Sequence, residues 1–120
     1  MSKNNEEISA GELIEGMANC FNPEGAGNFQ GDIQFVFTDG AGRTGKEENY
    51  FLQVRENKCS FSNGVSSSPA LVITSPVDTW RRICNGELNG AIAFMSGKYK
   101  VKGDLRLLMR MDKIFSRKER

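Results

Sequence analysis

Hydrophobic and polar residues alternate over Asp32–Asp39 (DIQFVFTD), placing Ile33, Phe35 and Phe37 on one face. A period of two is the signature of a strand. The other face, with Asp32, Gln34, Val36 and Thr38, is mixed. That predicts a sheet with one covered face and one wetter face. Tyr50–Glu56 (YFLQVRE) repeats the pattern with Tyr50, Leu52 and Val54, and Lys58–Asn63 (KCSFSN) repeats it with Cys59 and Phe61. Asn57-Lys58 is the candidate turn between them. Three short-linked strands predict an antiparallel meander, with the polar third strand at an edge. Ala70–Thr74 (ALVIT) is almost continuously apolar and reads as a central strand. Lys98–Lys102 (KYKVK) points Tyr99 and Val101 to the core and three lysines to water, a pattern that also protects a sheet edge.

A period near 3.6 governs the remaining segments. Ser9-Ala10-Gly11-Glu12 fits a capping box, with Ile8 and Leu13 placed as a hydrophobic staple. Leu13, Ile14, Met17, Ala18 and Phe21 continue the stripe, so a helix is predicted over Ala10–Cys20, packed on the sheet and ended by Asn22-Pro23. Residues 23–31 read as a loop. Ser75-Pro76-Val77-Asp78 is a second capping pattern, with Ser75 as N-cap. The helix it starts carries Trp80, Ile83 and Cys84 on one face and turns Arg81, Arg82 and Asn85 away, with Gly86 as its C-terminal stop. Asn89 caps a short helix over Gly90–Met95, which Gly97 ends. Gly103 turns the chain and Asp104 caps a last helix, Leu105–Phe115. At about 100° per residue, Arg106, Arg110 and Lys113 form one basic stripe. Apolar residues cover most of the rest, an arc wider than core packing alone demands. Its surplus faces a ligand, a partner chain or other helices of the same domain.

Composition narrows the function more than the fold. A chain of 120 residues, 38% hydrophobic and 26% charged, is one ordinary globular domain that needs no metal or disulfide staple. Residues 1–7 are expected to be disordered, residues 8–116 to form the domain, and residues 117–120 to be a basic tail. The N-terminus lacks the apolar core of a secretion signal, and no apolar run approaches the ~18 residues of a membrane span. A cytoplasmic protein is expected. Histidine is absent, which removes the commonest general base and metal ligand. Cys20, Cys59 and Cys84 are widely spaced, read as reduced, buried small hydrophobes, and bind no metal. Cys59 and Cys84 lack a recognisable base, so no catalytic residue is assigned. Gly40–Lys46 satisfies GxxxxGK, but Glu47 stands where a phosphate loop needs Ser or Thr, and a strand pattern follows. A glycine-rich hairpin loop explains the segment, and no nucleotide or other cofactor is expected. Net charge is +1, with residues 1–60 at −5 and residues 61–120 at +6. The basic half is either a solvated face paired with the acidic half or a surface for anions.

Gly86, Asn89, Ala93-Phe94-Met95, Gly97, Lys98-Tyr99-Lys100-Val101 and Gly103-Asp104 together resemble the sterol carrier protein type 2 (SCP2) family. VITSPVDTW resembles that family's strand-then-helix entry, and LIEGMANCFNPEGAG its opening helix and loop. The resemblance implies an α+β fold: a five-stranded, largely antiparallel sheet with helices covering one face and an apolar tunnel between. It implies non-catalytic binding of fatty acids, acyl-CoAs, phospholipids or sterol-like lipids, without a cofactor. By matching segments, Trp80, Ile83, Phe94, Met95, Leu105, Leu108, Met109 and Met111 are candidates for the tunnel wall. Phe35, Leu71, Ile73 and Val101 are candidates from the sheet side. Lys98, Lys100, Lys102, Arg106 and Arg110 are candidates for an anionic head group or membrane surface. The tail RKER departs from the Ser-Lys-Leu ending of peroxisomal members, and Asp112 interrupts the apolar arc. The expected partner is a lipid or acyl chain, with transient contact to an anionic membrane and none with nucleic acid. The alternative is a homodimeric interaction module, or an accessory subunit of a lipid-metabolising system, with the broad apolar helix as interface.

Overall fold

Helix α1 (Ala10–Asn19) begins where its capping box requires. Ser9 Oγ accepts from the Glu12 amide at 3.1 Å and Glu12 Oε1 accepts from the Ser9 amide at 3.0 Å. These contacts come from a computed structural model, which describes residues 9–38 and 47–115. Ile8, the expected staple partner, lies outside the described residues, as do the GxxxxGK segment and the basic tail. The segment expected to be all loop after α1 contains a short helix, α2 (Pro23–Ala26). Asn22 Oδ1 caps it by accepting from the Glu24 amide, and Pro23 occupies its first turn.

Five strands form one sheet: β1 (Gly31–Thr38), β2 (Glu47–Arg55), β3 (Lys58–Asn63), β4 (Leu71–Pro76) and β5 (Lys100–Gly103), in the order β3-β2-β1-β4-β5. The meander is present, with β3 and β5 at the edges. The β2–β3 turn is Glu56-Asn57, one residue earlier than expected, and both residues have positive φ, 52° and 65°. Such a two-residue turn matches the strands' own twist. β4 pairs parallel with β1 and antiparallel with β5, so it is interior, while β1 holds the centre.

Register aligns the apolar set across all five strands. Phe61, Leu52, Ile33 and Leu71 form one row, and Tyr50, Phe35, Ile73 and Val101 the next. Ile33, Phe35, Leu52, Leu71 and Ile73 are completely buried beneath the helices. The reverse face is drier than its polarity suggested, because the β3–β4 connection crosses it. Ser66 Oγ donates to Asp32 Oδ2 at 2.5 Å, and the Ser66 amide donates to Gln34 Oε1 at 2.6 Å. Gln34 Nε2 donates to the Gly64 carbonyl at 3.0 Å. Asp32 and Gln34 are therefore buried and satisfied at once.

Helix α3 (Val77–Cys84) starts without its expected cap. Ser75 remains in β4 and donates its hydroxyl to the Pro76 carbonyl at 2.8 Å, leaving Pro76 at the N-cap. Arg81 was expected to face away, but its side chain is only 14% exposed and pairs with Asp78 at 3.3 Å. Helix α4 (Gly90–Met95) has the expected Asn89 cap, and Gly97 follows it with φ +80°.

The last helix divides. α5 (Leu105–Met109) and α6 (Met111–Ile114) meet at Arg110, whose φ of −98° and ψ of 0° leave the helical region. Arg110 Nη2 donates to the Gly25 and Ala26 carbonyls at 3.0 and 3.1 Å, and the Asn22 amide donates to the Ile114 carbonyl at 2.7 Å. The bend thus coincides with the place where the helix pair docks on α2. Gly25 permits that approach, because a Cβ there would lie 2.0 Å from the Lys113 carbonyl oxygen. The broad apolar arc splits accordingly. Leu107, Leu108, Met111 and Ile114 are buried, while Leu105 and Met109 are about half exposed.

Candidate functional site

Where α1, α3 and the α5–α6 pair converge, the core is not filled. A cavity of about 560 Å³ remains, within the roughly 300–1,000 Å³ usual for small-molecule sites. Leu13, Gly16 and Met17 of α1 form one wall, and Trp80 and Ile83 of α3 another. Leu108, Met109, Met111 and Phe115 close the C-terminal side, with Leu88, Gly90, Ala91 and Tyr99 completing the lining.

Aromatic packing makes the inner wall rigid. The Trp80 ring meets Phe35 edge-on at 5.4 Å between centroids and Tyr99 edge-on at 5.5 Å, arrangements favoured by the ring quadrupole. Trp80 Nε1 donates to Met17 Sδ at 3.3 Å, joining α3 to α1. The Tyr99 hydroxyl donates to the Gly90 carbonyl at 2.7 Å, tying the start of α4 to the residue before β5. Gly16 leaves space on the α1 wall, since nothing lies within 4 Å of a Cβ placed there.

The polar lining consists of Glu12, Asp112, Asn85, Asn89 and the thiols of Cys20 and Cys84. Cys84 is exposed to water yet hemmed in by protein atoms. That crowding raises its pKa, and Cys20 adds to the rise. Cys59, on the edge strand, is pushed up by burial to about 11. Thiols held in the protonated form are weak nucleophiles. None of the three belongs to the fully buried core expected of them: Cys20 and Cys59 are half-buried. Among the described residues, no group of three or more His, Cys, Asp or Glu side chains is placed to hold a metal ion.

Of the wall candidates, the structure brings together Trp80, Ile83, Leu108, Met109 and Met111 at the cavity. Phe35, Leu71 and Ile73 lie in the core, Phe35 directly behind Trp80. Val101 pairs with Ile73 and is half-buried. Phe94 packs on Tyr99 at 5.9 Å, outside the lining. Met95, 76% exposed, and Leu105, 46% exposed, are not among the lining residues. None of Lys98, Lys100, Lys102, Arg106 and Arg110 lines it either. Lys100 and Lys102 pair with Thr74 and Val72, on the sheet face away from the helices, because Ile73 and Val101 share the inner face. Arg106 is 96% exposed beside Asp104, and Arg110 is bonded to α2. The α1 wall was missed because its stripe was assigned wholly to sheet packing. Tyr99 was missed because alternation places it in the core without showing what it faces there.

The family model of the SCP-2 sterol transfer family matches residues 28–116. Hydroxysteroid dehydrogenase-like protein 2 of Xenopus tropicalis is 30% identical over 116 residues, which are 94% of this chain and 26% of that protein. The chain thus spans about a quarter of the length of the curated relatives it matches. Among solved structures, the stereoselective inverting sec-alkylsulfatase Pisa1 from Pseudomonas sp. superposes with a TM-score of 0.79 at 14% identity, over 98% of this chain and 18% of that one. Palmitated SCP2L2 from Aedes aegypti superposes with a TM-score of 0.67 at 19% identity, over 100% and 99% of the two chains. At these identities the structural likeness shows the fold. The α+β architecture agrees with it, and on the match over residues 28–116 this chain belongs to the SCP-2 sterol transfer family.

Proposed function

We propose that this domain holds the apolar part of a lipid in the cavity between α1, α3 and the α5–α6 pair, without covalent chemistry. The observation that carries the reading is an apolar-walled cavity of about 560 Å³ beside the core, in a chain of this family. Trp80, Ile83, Leu108, Met109 and Met111 are its proposed contacts, with Phe35, Leu71 and Ile73 as the rigid layer beneath. Met17, Met109 and Met111 suit a wall that adapts to different chains, since thioethers are flexible and polarizable. Burying about fifteen methylenes offers about 12 kcal/mol, which leaves micromolar affinity after an association cost of about 4 kcal/mol.

Helix α4 presents Ile92 and Met95 to solvent, and exposed Lys98 follows in the chain. An apolar pair with adjacent positive charge supports transient contact with an anionic membrane as the place where lipid is collected. The curated relatives and the sulfatase each contain the matched segment as a fraction of a longer chain. That favours a second reading in which the domain serves as accessory to a catalytic partner.

Native mass spectrometry of the purified chain, with lipid extraction from the same sample, tests the main reading. The expected result is one lipid per chain. An empty chain that also fails to take up an uncharged fluorescent alkyl probe would overturn it, and a dimer in the same spectrum would favour the interaction module.

A further inference from the structure

We propose that Cys20 and Cys84 form a dithiol site at the cavity, which a peroxide oxidises to a disulfide that ties α1 to α3 and bars the cavity to an alkyl chain. The effect on binding rests on the lipid-holding reading above; the crosslink itself does not. Cys20 closes the C-terminal end of α1, and Cys84 is the last residue of α3. Both belong to the cavity lining. Cys59 lies outside it, on β3 opposite Val54.

The two helices already meet one turn earlier, where Trp80 Nε1 donates to Met17 Sδ at 3.3 Å. Residues three and four apart share a helix face. Cys20 therefore follows Met17, and Cys84 follows Trp80, on the sides turned to the cavity. The thiols also sense one another. Burial is the larger cause of the raised Cys84 pKa, and charge on Cys20 is the second. Solvent screening confines such coupling to short range. A disulfide needs Cα atoms about 4.4–6.8 Å apart. Helix ends can adjust to that, because their last carbonyls carry no intrahelical bond.

The step balances with hydrogen peroxide as the one co-reactant. The Cys20 thiolate attacks a peroxide oxygen and the O–O bond breaks. A sulfenic acid forms, and the leaving hydroxide takes up the proton lost by the thiol, giving water. Cys84 then releases its proton and its sulfur attacks the Cys20 sulfur. The S–S bond forms, the S–O bond breaks and a second water leaves. The two sulfurs together lose two electrons, which the peroxide gains. Cys84 acts second because its surroundings hold it protonated, and a protonated thiol is a weak nucleophile. The finished bridge sets the Cβ atoms about 3.8 Å apart, drawing the α1 wall against the α3 wall. An alkyl chain needs the space between those walls, so oxidation and ligand oppose each other by the same factor.

The test treats the reduced full chain with hydrogen peroxide at neutral pH, alkylates the remaining thiols and maps the peptides by mass spectrometry. The expected result is a Cys20–Cys84 crosslink within one monomer, reversed by dithiothreitol, with Cys59 alkylated. The oxidised monomer should bind an uncharged fluorescent alkyl probe about tenfold more weakly than the reduced one, and probe added first should slow the crosslinking. Cys84→Ser, compared with and without peroxide, should show no such drop. Thiols that stay reduced, a crosslink through Cys59, a dimer, or oxidation without Cys20–Cys84 pairing would overturn the proposal. So would a crosslink that leaves probe affinity unchanged, or a drop that Cys84→Ser suffers equally. A reduced chain that never binds the probe would remove the lipid-holding reading and the effect on binding with it, whereas the peptide map judges the crosslink by itself.

Discussion

The indole Nε1 of Trp80 donates to the sulfur of Met17 at 3.3 Å, bridging α3 and α1 at the cavity wall. Trp80 is the only tryptophan in the chain, so its fluorescence reports on this one place. Ligand entering the cavity is expected to shift or quench its emission, saturating at one ligand per chain. Met17→Leu, close in volume, should cost less than about 1.5 kcal/mol in stability while changing the emission of the empty protein. Emission that stays flat through a titration followed independently by mass spectrometry would place the ligand elsewhere.

Gly16 lines the cavity from within a helix, with open space where a Cβ would project. Gly16→Ala should stabilise the fold by about 0.5–1 kcal/mol, since glycine is a poor helix residue. Gly16→Leu should fill part of the cavity and weaken binding of long chains more than short ones. Thermal melts and probe titrations on both variants check this; undiminished binding of the longest chain by the leucine variant counts against the α1 wall.

Gly25 is where α2 touches α6. A methyl there would collide with the Lys113 backbone carbonyl, at 2.0 Å. Backbone on both sides cannot yield cheaply, so Gly25→Ala is expected to destabilise by about 1–3 kcal/mol. Met111 and Phe115 belong to the same docked segment and line the cavity, so ligand affinity should fall too. An unchanged denaturation midpoint would show that the contact is looser than described.

Ser66 tests the opposite face. Its hydroxyl serves buried Asp32 at 2.5 Å, remote from the cavity lining. Ser66→Ala should cost about 1.5–3 kcal/mol, the range for a hydrogen bond to a charged group. Ligand affinity measured well below the melting temperature should remain that of the parent protein. Loss of binding with full stability would mean that the two faces communicate.

The thiols predict a pH dependence. Burial raises Cys59 from the ordinary 9.0 to about 11. The folded state therefore keeps a proton that the unfolded chain releases earlier. This contribution to stability is whole below about pH 9 and is lost as pH rises towards about 11. Cys84 is raised in the same direction, so iodoacetamide should label both slowly at neutral pH and faster as pH increases. Because Cys84 lines the cavity and Cys59 does not, bound ligand should protect Cys84 and leave Cys59 as reactive as before. Equal protection of both thiols would contradict this placement.

Local patterns in the sequence were enough to determine the strands, the Ser9 and Asn89 caps and the inward positions of Ile33, Phe35 and Leu52. Alternation, capping and helical spacing act over a few residues, and these elements follow them closely. They also determined that the final apolar arc exceeds what one core face buries, which Leu105 and Met109 bear out by their exposure. Contacts distant in sequence decided the rest. Ser66 dries a face that alternation marked as wet, because a connection thirty-odd residues further along happens to cross it. Arg110 leaves its basic stripe to bond α2, and the last helix bends where it does so. The cavity is decided at this level as well. Apolar periodicity says which side of an element avoids water, but filling that side with neighbours or leaving room for a ligand depends on where α1, Trp80 and Met111 meet. Packing of that kind is a property of the whole assembled chain, and no short stretch of sequence carries it.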